Sequence, residues 1–280
     1  MTEHFGARLA AAMDRHGPLC VGLDPHAHLL AAWGLPDTPE GLRSFSATVL
    51  EAVRGECAAI KPQSAFFERH GAAGVAVLEE VLAASRERGL LTVLDAKRGD
   101  IGSTMGAYAQ AYLSDGAPLA ADSVTLSPYL GYGSLRPAVD LARQTGRGVW
   151  VLGLTSNPEG AGVQLVGSPT VAARVLAEVA QDDAGLEPFG DVGVVVGATL
   201  DPDDLAAAGV DLAGAGAPVL APGVGAQGAG AEDLARTFAG LTERVLVPVS
   251  RGVLAAGPAP ADLRRQAREL TAELRAALRR

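Results

Sequence analysis

The residues with the clearest capacity for chemistry lie close together between positions 94 and 102. There the sequence reads LDAKRGDIG, with Asp95 and Lys97 at the end of an apolar run. Side chains two residues apart along a strand face the same side, so we expect Asp95 and Lys97 to project together. A carboxylate and an ammonium held side by side stabilise each other's charged forms. Such a pair could act on a charged substrate, or it could simply tie strand ends together.

Two earlier apolar runs also end in a charged residue, Asp24 in one and Lys61 in the other. A strand that runs directly into a single Asp or Lys buries part of a charge, and a buried charge needs a partner. Asp24 and Lys61 therefore complete an alternating set of charges with Asp95 and Lys97. Asp100 differs from these four, because it follows Gly99 beyond the strand and should point away from its own site.

The glycine-rich stretch 221–230, which reads APGVGAQGAG, is a second candidate site. Glycines let backbone N–H groups approach an anion, and in many barrels the loops after strands seven and eight bind phosphate. A flexible surface turn would have the same composition. However, Arg251 at the end of the next apolar run supplies a fixed charge that a simple turn leaves unexplained. The loop 157–168 is also rich in glycine and could act as a lid over the site.

The elements that must position these residues are eight short apolar runs rich in β-branched residues, which predict eight strands. Segments with helical spacing separate most of them, so the pattern is a repeated βα unit with parallel pairing. Eight strands over this length favour an α/β fold, a single-domain (β/α)8 TIM barrel spanning 1–280 with N-terminal and C-terminal helices, over a doubly wound sheet. In such barrels catalytic residues stand at the C-terminal ends of strands. The predicted strands are 19–24, 58–61, 90–97, 123–127, 148–156, 192–199, 218–222 and 244–251.

The composition describes a soluble globular protein, with 48% hydrophobic and 20% charged residues. No apolar stretch approaches the roughly 18 residues that a membrane span needs. The formal net charge of −9 opposes a nucleic-acid or anionic-lipid surface, because such surfaces carry excess Lys and Arg. Cys20 and Cys57 have no CxxC or Cys/His partner, which predicts buried reduced thiols and a cytoplasmic location. The five histidines lack the paired spacing of metal ligands, so no metal site is predicted.

Several of these segments together resemble one family, orotidine 5′-phosphate decarboxylase, and within it the longer type 2 subgroup. The strongest element is the Asp-x-Lys-x-x-Asp signature at 95–100, continued by Ile101 and Thr104. The resemblance covers essentially the whole chain, and the motifs occur in the expected order. The supporting motifs are VGLD at 21–24, IKPQ at 60–63, TSNP at 155–158 and PGVGAQ at 222–227.

The resemblance implies decarboxylation of orotidine 5′-phosphate to uridine 5′-phosphate and CO₂ in de novo pyrimidine biosynthesis, with neither metal nor organic cofactor. It implies that Lys97 is the proton donor, that Asp95 lies against the substrate carboxylate, and that Asp24 and Lys61 hydrogen-bond the ribose. Loss of CO₂ leaves electron density on a ring carbon that no carbonyl is placed to absorb. The charges of the protein must therefore stabilise it.

The resemblance also implies contacts at the edges of the site and a shared active site. Ser156 would contact the pyrimidine, a position that Ser127 could also fill because it too ends a strand. Asp100 would enter the site of the neighbouring subunit together with Thr104, so the expected partner is a second copy of the chain in a homodimer. The remaining contacts are with the phosphate loop and the phosphate, through Pro222, Gln227 and Arg251.

Three other functions share parts of this pattern. A magnesium-dependent decarboxylase of a sugar acid phosphate would use the same signature, and dependence on added metal would reveal it. A Schiff-base aldolase would use Lys97 as its nucleophile, and borohydride trapping would detect it. A catalytically silent phosphate-ligand sensor would not need the full charge array, which is intact here.

Overall fold

Eight parallel strands close into one barrel, in a computed structural model that describes residues 3–225 and 228–278. Each strand pairs with the next along the chain, and β8 pairs with β1. The predicted single-domain (β/α)8 barrel is confirmed. The strands are β1 Leu19–Leu23, β2 Ala59–Pro62, β3 Leu91–Arg98, β4 Ser123–Leu126, β5 Gly148–Leu154, β6 Val192–Val196, β7 Val219–Leu220 and β8 Val245–Val249.

Helices surround the barrel and follow its strands in sequence. None of the helices in the described ranges is both long and apolar enough to cross a membrane. The α-helices are α1 Phe5–His16, α2 Ala27–Ala32, α3 Pro39–Val53, α4 Ala65–Glu68, α5 Gly71–Glu87, α6 Gly102–Leu113, α7 Arg136–Gln144, α8 Ala161–Gln164, α9 Val171–Asp182, α10 Pro202–Ala207, α11 Ala231–Thr237, α12 Arg251–Leu254 and α13 Pro260–Leu278.

Six of the eight strands are shorter than the apolar runs that predicted them, mainly at their C-terminal ends, whereas β2 and β3 keep the predicted length and are shifted by one residue. Strand β5 ends at Leu154, β6 at Val196 and β7 at Leu220, whereas the runs continue for two or three more residues. The polar residues that close those runs have left the ladder and lie in the loops that follow. The strands themselves are buried on both faces, as their continuous β-branched sequences require.

One end of the barrel is closed by α1. Phe5 and Leu9 of this helix join the cluster of side chains inside the barrel, and the Phe5 ring meets Trp150 edge to face with centroids 6.1 Å apart. A Cβ at Gly148 would lie 2.1 Å from the Phe5 ring, so only glycine fits where β5 begins. With its N-terminal end filled by α1, the barrel is open at the C-terminal ends of its strands.

The C-terminal helix α13 packs along the outside of the barrel against α3 and α11. The stripe on its inner face contains Leu263, Ala267, Leu274 and Leu278, all buried. The apolar spacing of the sequence predicts this closing helix from Asp262 onward, and the structure begins it two residues earlier, at Pro260. Proline is favoured in the first turn because its missing N–H has no intrahelical partner there.

Candidate active site

A cavity of about 460 Å³ lies at the C-terminal ends of the strands, where a (β/α)8 barrel carries its active site. Strands from all around the barrel contribute to its wall. The structure thus brings together residues that lie more than 200 positions apart in sequence. The predicted site residues on this wall are Asp24, Lys61, Asp95, Lys97, Ser156, Pro222 and Arg251.

Asp95 lies between two lysines at the centre of the cavity. Its Oδ2 accepts a hydrogen bond from Lys61 Nζ at 2.8 Å, and its Oδ1 accepts one from Lys97 Nζ at 2.5 Å. Burial alone would raise the pKa of Asp95, but the charges and hydrogen bonds of Lys61 and Lys97 outweigh burial and lower it to about 2. Asp95 is therefore ionised at neutral pH.

Lys61 and Lys97 differ in their access to the cavity. Burial disfavours the Lys61 ammonium, yet the carboxylates of Asp95 and Asp24 raise the pKa of Lys61 above its ordinary value. The Lys61 side chain is 10% exposed, whereas that of Lys97 is 46% exposed. Lys97 is therefore the more accessible of the two lysines to a molecule in the cavity.

Strand alternation does not explain how Lys97 comes to face Asp95. Lys97 has a φ of 47°, in the left-handed region, and the pairing of β3 with β4 shifts register between Leu94 and Arg98. The two side chains do lie together, as expected, but the strand is irregular at Lys97. The sequence alone gives no signal for this irregularity, because a left-handed lysine has no characteristic motif.

Asp24 has one satisfied oxygen and one that is available. Its Oδ2 accepts a hydrogen bond from Ser250 Oγ at 2.5 Å. Its Oδ1 is buried and has no hydrogen-bond partner within the described residues. A buried carboxylate oxygen without a donor is costly, so Asp24 is suited to accept a hydroxyl hydrogen bond from a ligand.

The cavity wall also carries an arginine without an ionic partner among the described residues, beside a glycine loop. Arg251 follows β8 and begins α12, and it makes no ion pair with any residue that the structure describes. Beside it, Pro222 and Gly223 follow β7, and Gly223 has a φ of 123° that suits glycine. Gln227, also predicted here, lies outside the described residues.

The remaining predicted residues are not part of this cavity wall. Asp100 and Thr104 are not among the residues that line it, and Asp100 Oδ1 accepts a hydrogen bond from the backbone N–H of Ile101 at 2.8 Å. Thr104 is exposed in the first turn of α6. Of the two candidate serines, Ser156 lines the cavity, whereas the backbone of Ser127 bonds the Arg98 carbonyl at 2.7 Å.

Several cavity residues are not among the site residues that the sequence predicts. Thr125 on β4 donates a hydrogen bond to the Asp95 carboxylate, and Ser250 after β8 donates one to the Asp24 carboxylate. Gln63 pairs with Asp95 through an isolated backbone β-bridge. Gln63 belongs to the IKPQ motif, and Ser250 precedes Arg251, so their neighbours give a weak signal for them. Thr125 is an ordinary strand residue, and only the three-dimensional pairing identifies it.

His26 and His28 also line the cavity. The His26 ring packs against Phe66 with centroids 4.3 Å apart, and burial lowers the pKa of His26 despite the nearby Asp24. Across residues 3–225 and 228–278, no three His, Cys, Asp or Glu side chains are grouped as metal ligands would be.

A family model described as the orotidine 5′-phosphate decarboxylase / HUMPS family matches residues 17–266. The chain belongs to this family. The matched region includes all eight strands and the entire cavity wall. The family expected from the motifs is thereby confirmed.

Relatives with high identity match the chain over nearly its full length. The orotidine 5′-phosphate decarboxylase of Streptomyces coelicolor is 55% identical over 279 residues, covering 99% of each chain. That of Salinispora arenicola is 54% identical over the same length and covers 99% of each chain. The expectation that the chain is an enzyme, a carboxy-lyase of this family, is confirmed.

Solved structures agree with these sequence matches. A structure from Streptomyces avermitilis, assigned as an orotidine 5′-phosphate decarboxylase, has 56% identity and a TM-score of 0.95, and the match covers 100% of this chain and 97% of that one. The OMP decarboxylase of Leishmania donovani has 34% identity and a TM-score of 0.77, with 99% and 100% coverage. Both matches extend over the whole barrel.

Proposed function

We propose that this chain decarboxylates orotidine 5′-phosphate to uridine 5′-phosphate and CO₂ in de novo pyrimidine biosynthesis, without a metal or an organic cofactor. The observation that carries the proposal is the ionised Asp95 between Lys61 and Lys97 at the open end of the barrel. The full-length relatives carry the name of this activity. The cavity also contains Asp24, which can accept a hydrogen bond from a ligand hydroxyl, and Arg251, which can bind an anion.

Lys97 is the proton donor in this proposal. When the bond between the ring and the carboxyl group breaks, its electron pair stays on the ring carbon and CO₂ leaves. The Lys97 ammonium stabilises that developing charge and transfers a proton to the carbon, and the resulting amine regains a proton from solvent. The 46% exposure of Lys97 allows this contact, whereas Lys61 at 10% is confined to supporting Asp95 and the ribose.

Asp95 acts on the carboxyl group that leaves. Because its pKa is about 2, Asp95 is an anion next to the substrate carboxylate at neutral pH. This like-charge contact exists in the bound substrate and disappears as CO₂ departs. It contributes part of a barrier reduction on the order of 20 kcal/mol, which is more than a single lysine can supply.

The ribose and phosphate groups are held away from the reacting carbon. In the proposal the free Oδ1 of Asp24 accepts a ribose hydroxyl, Ser156 contacts the pyrimidine, and Arg251 binds the phosphate together with the loop of Pro222 and Gln227. Binding energy from these remote groups can be used to hold the ring against the charge array. Part of that energy should therefore appear in the rate.

The contacts of Asp95 favour this function over the two rival enzymes. Both carboxylate oxygens already accept hydrogen bonds, and two ammonium groups lie beside them, so a magnesium ion would meet occupied lone pairs and like charges. A Schiff base needs a neutral amine, whereas Lys97 is ion-paired with Asp95 at 2.5 Å.

The functional unit in this proposal is a homodimer located in the cytoplasm. The loops after β3 and β4 carry exposed apolar side chains, namely Ile101, Tyr129 and Leu130, and Asp100 and Thr104 lie within three residues of Ile101 in sequence. Exposed apolar groups of this kind mark interaction surfaces. A second copy docked there would receive Asp100 and Thr104 in its site. The cytoplasmic location rests on Cys20 and Cys57, which are buried free thiols.

The deciding experiment follows the absorbance of orotidine 5′-phosphate with the purified full chain in the presence of a chelator. We expect full turnover under these conditions and nearly complete loss in Lys97→Ala, with the fold of the variant checked by circular dichroism. Activity that disappears in chelator and returns with magnesium would contradict the proposal. A folded Lys97→Ala enzyme with more than about a tenth of the wild-type rate, a loss of only ~1.4 kcal/mol, would exclude Lys97 as the proton donor.

A further inference from the structure

The hydroxyl of Thr125 connects β4 to both members of the Asp95–Lys97 pair. Its Oγ1 donates to Asp95 Oδ1 at 3.0 Å and accepts from the backbone N–H groups of Ala96 at 3.0 Å and Lys97 at 2.9 Å. A threonine hydroxyl has one donor and two acceptor positions, so these three bonds use all of them. Thr125 is also buried, with 1% exposure, so its hydroxyl serves the protein rather than a ligand.

The backbone that Thr125 binds is the strained part of the site. Lys97 is the only non-glycine residue with a positive φ in the part of the chain that the structure describes. For an L-residue this conformation costs on the order of 1–3 kcal/mol, and it persists only where the surroundings enforce it. The register shift between β3 and β4 falls at the same place, between Leu94 and Arg98. At this irregularity the Thr125 hydroxyl accepts hydrogen bonds from both N–H groups.

We propose that Thr125 is a positioning residue for decarboxylation, whose hydroxyl holds the Lys97 backbone in its left-handed conformation and thereby aims the ammonium at the reacting carbon. This role rests on the proposed function of Lys97. In this arrangement Asp95 and Lys97 depend on Thr125 to different degrees. Asp95 is also held through Oδ2 by Lys61, whereas the described backbone N–H of Lys97 bonds Thr125.

Loss of the hydroxyl should therefore displace Lys97 more than Asp95. Without this acceptor, the buried N–H of Ala96 and the part-buried N–H of Lys97 would lose the hydrogen bonds that Thr125 accepts, and the strand could regain partners for them by relaxing toward ordinary geometry. Asp24 and Arg251, which are proposed to bind ribose and phosphate, follow β1 and β8 and make no hydrogen bond to Thr125 among the described residues. Lys61, which is also proposed to contact the ribose, keeps its own bond to Asp95 Oδ2. The effect should fall on the chemical step and not on substrate binding.

Thr125→Val tests this, because valine keeps the branched shape of threonine and replaces the hydroxyl with a methyl group. We expect kcat for orotidine 5′-phosphate to fall about 100-fold with KM within about threefold, since a displacement near 1 Å at the reacting group has an effect of that size. Thr125→Ser, which keeps the hydroxyl, should stay within about fivefold of wild type. The matched control is Thr237→Val, which removes another buried threonine hydroxyl that bonds the Leu200 carbonyl at 2.8 Å. We expect no change in kcat from this control.

A kcat within threefold of wild type in Thr125→Val, or equal losses in the serine and valine variants, would overturn the proposal. If Thr125→Val does not fold, Thr125→Ala and Thr125→Ser form a second pair that differs only in the hydroxyl, and equal rates in this pair would have the same meaning. If the wild-type chain does not decarboxylate orotidine 5′-phosphate, the proposed function fails. The structural part is then decided by a crystal structure of the alanine variant, in which an unchanged Lys97 φ would refute the positioning role.

Discussion

Arg251 differs from the two lysines of the cavity in its ionic partners. Lys61 and Lys97 both pair with Asp95, whereas Arg251 pairs with no residue in the described ranges. An unpaired guanidinium at a cavity wall, next to a loop with left-handed glycines, is suited to bind the oxygens of a phosphate. The Arg251 guanidinium can therefore bind a ligand anion without first breaking an ion pair within the described residues.

Replacing Arg251 with Ala should weaken use of the phosphorylated substrate selectively. We expect kcat/KM for orotidine 5′-phosphate to fall about 100-fold, equivalent to ~3 kcal/mol, the range for a hydrogen bond to a charged group. The nucleoside orotidine, which lacks the phosphate, should change by less than about threefold, because the lost contact does not exist with it. Arg236→Ala on α11 is the control, since Arg236 is an exposed arginine paired with Asp233. Equal losses on the two substrates would mean that Arg251 supports the structure instead.

The sequence could predict individual site residues where a motif places a charge at the end of an apolar run. Asp24, Lys61, Asp95 and Lys97 were accessible in this way, because an unpartnered charge at a buried strand end is itself a signal. Thr125 was not, since its role depends on which residue of β4 lies beside the irregular end of β3. The register between two neighbouring strands is fixed by the closed barrel, and the sequence of either strand alone does not determine it.

At the scale of elements, the existence and order of the strands were predictable but their ends were not. Continuous β-branched runs such as 192–196 are typical of strands buried on both faces of a parallel barrel, and all eight runs form strands. The ends depend on where pairing with both neighbours stops. Strand β7 has only Val219 and Leu220 in its ladder, although its run is five residues long.

The junction between α9 and β6 contains a second buried carboxylate, at the opposite end of the barrel from the cavity. Asp183 Oδ1 accepts the backbone N–H groups of Asp191 and Val192 at 3.1 Å, which ties the end of the helix to the start of the strand. Its Oδ2 is buried and has no hydrogen-bond partner within the described residues, and Arg143 Nη2 lies 3.9 Å from the other oxygen, Oδ1. Burial raises the pKa of Asp183 to about 7, so its neutral form is favoured in the folded state.

This raised pKa predicts a loss of stability as the pH rises. Below pH 4 Asp183 is protonated in both the folded and the unfolded state, and between about pH 4 and 7 only the unfolded state ionises. The free energy of unfolding should therefore decrease across this window, by up to about 4 kcal/mol from this residue. Denaturant unfolding at pH 5 and pH 8 measures the change.

Asp183→Asn isolates the contribution of Asp183, because the amide keeps the accepting oxygen and cannot ionise. His4, whose pKa is raised by its contact with Asp191 although burial opposes this, contributes a loss of stability in the same direction and is present in both proteins. We expect the difference in unfolding free energy between pH 5 and pH 8 to be smaller in Asp183→Asn than in wild type. Equal pH dependence in the two proteins would contradict the raised pKa of Asp183.

At the scale of the whole molecule, the position of Asp100 makes the active site a property of two chains in our proposal. Asp100 follows Gly99 just after the C-terminal end of β3 and is not among the residues that line the cavity of its own barrel. Ile101, next to it, is 62% exposed, and Tyr129 in the loop after β4 is 77% exposed. A twofold axis beside these residues would give two equivalent sites, each with Lys97 of one chain and Asp100 of the other.

Mixing two inactive variants tests this arrangement. The Lys97→Ala and Asp100→Ala proteins should each be nearly inactive. When equal amounts are unfolded and refolded together, about half of the dimers should be mixed, and each mixed dimer should contain one intact site and one doubly defective site. One site in four would then be intact, so we expect activity to recover to roughly a quarter of the wild-type value.

The control mixture combines Lys97→Ala with the double variant Lys97→Ala/Asp100→Ala, in which no pairing of chains can form an intact site. An affinity tag on one protein in each mixture confirms that chains have exchanged. If Asp100 acted within its own barrel, every site in the test mixture would lack either Lys97 or Asp100, and its activity would equal that of the control. Recovery therefore requires that Asp100 reach across to the Lys97 of another chain, and its absence after confirmed exchange would leave Asp100 with a role inside its own chain.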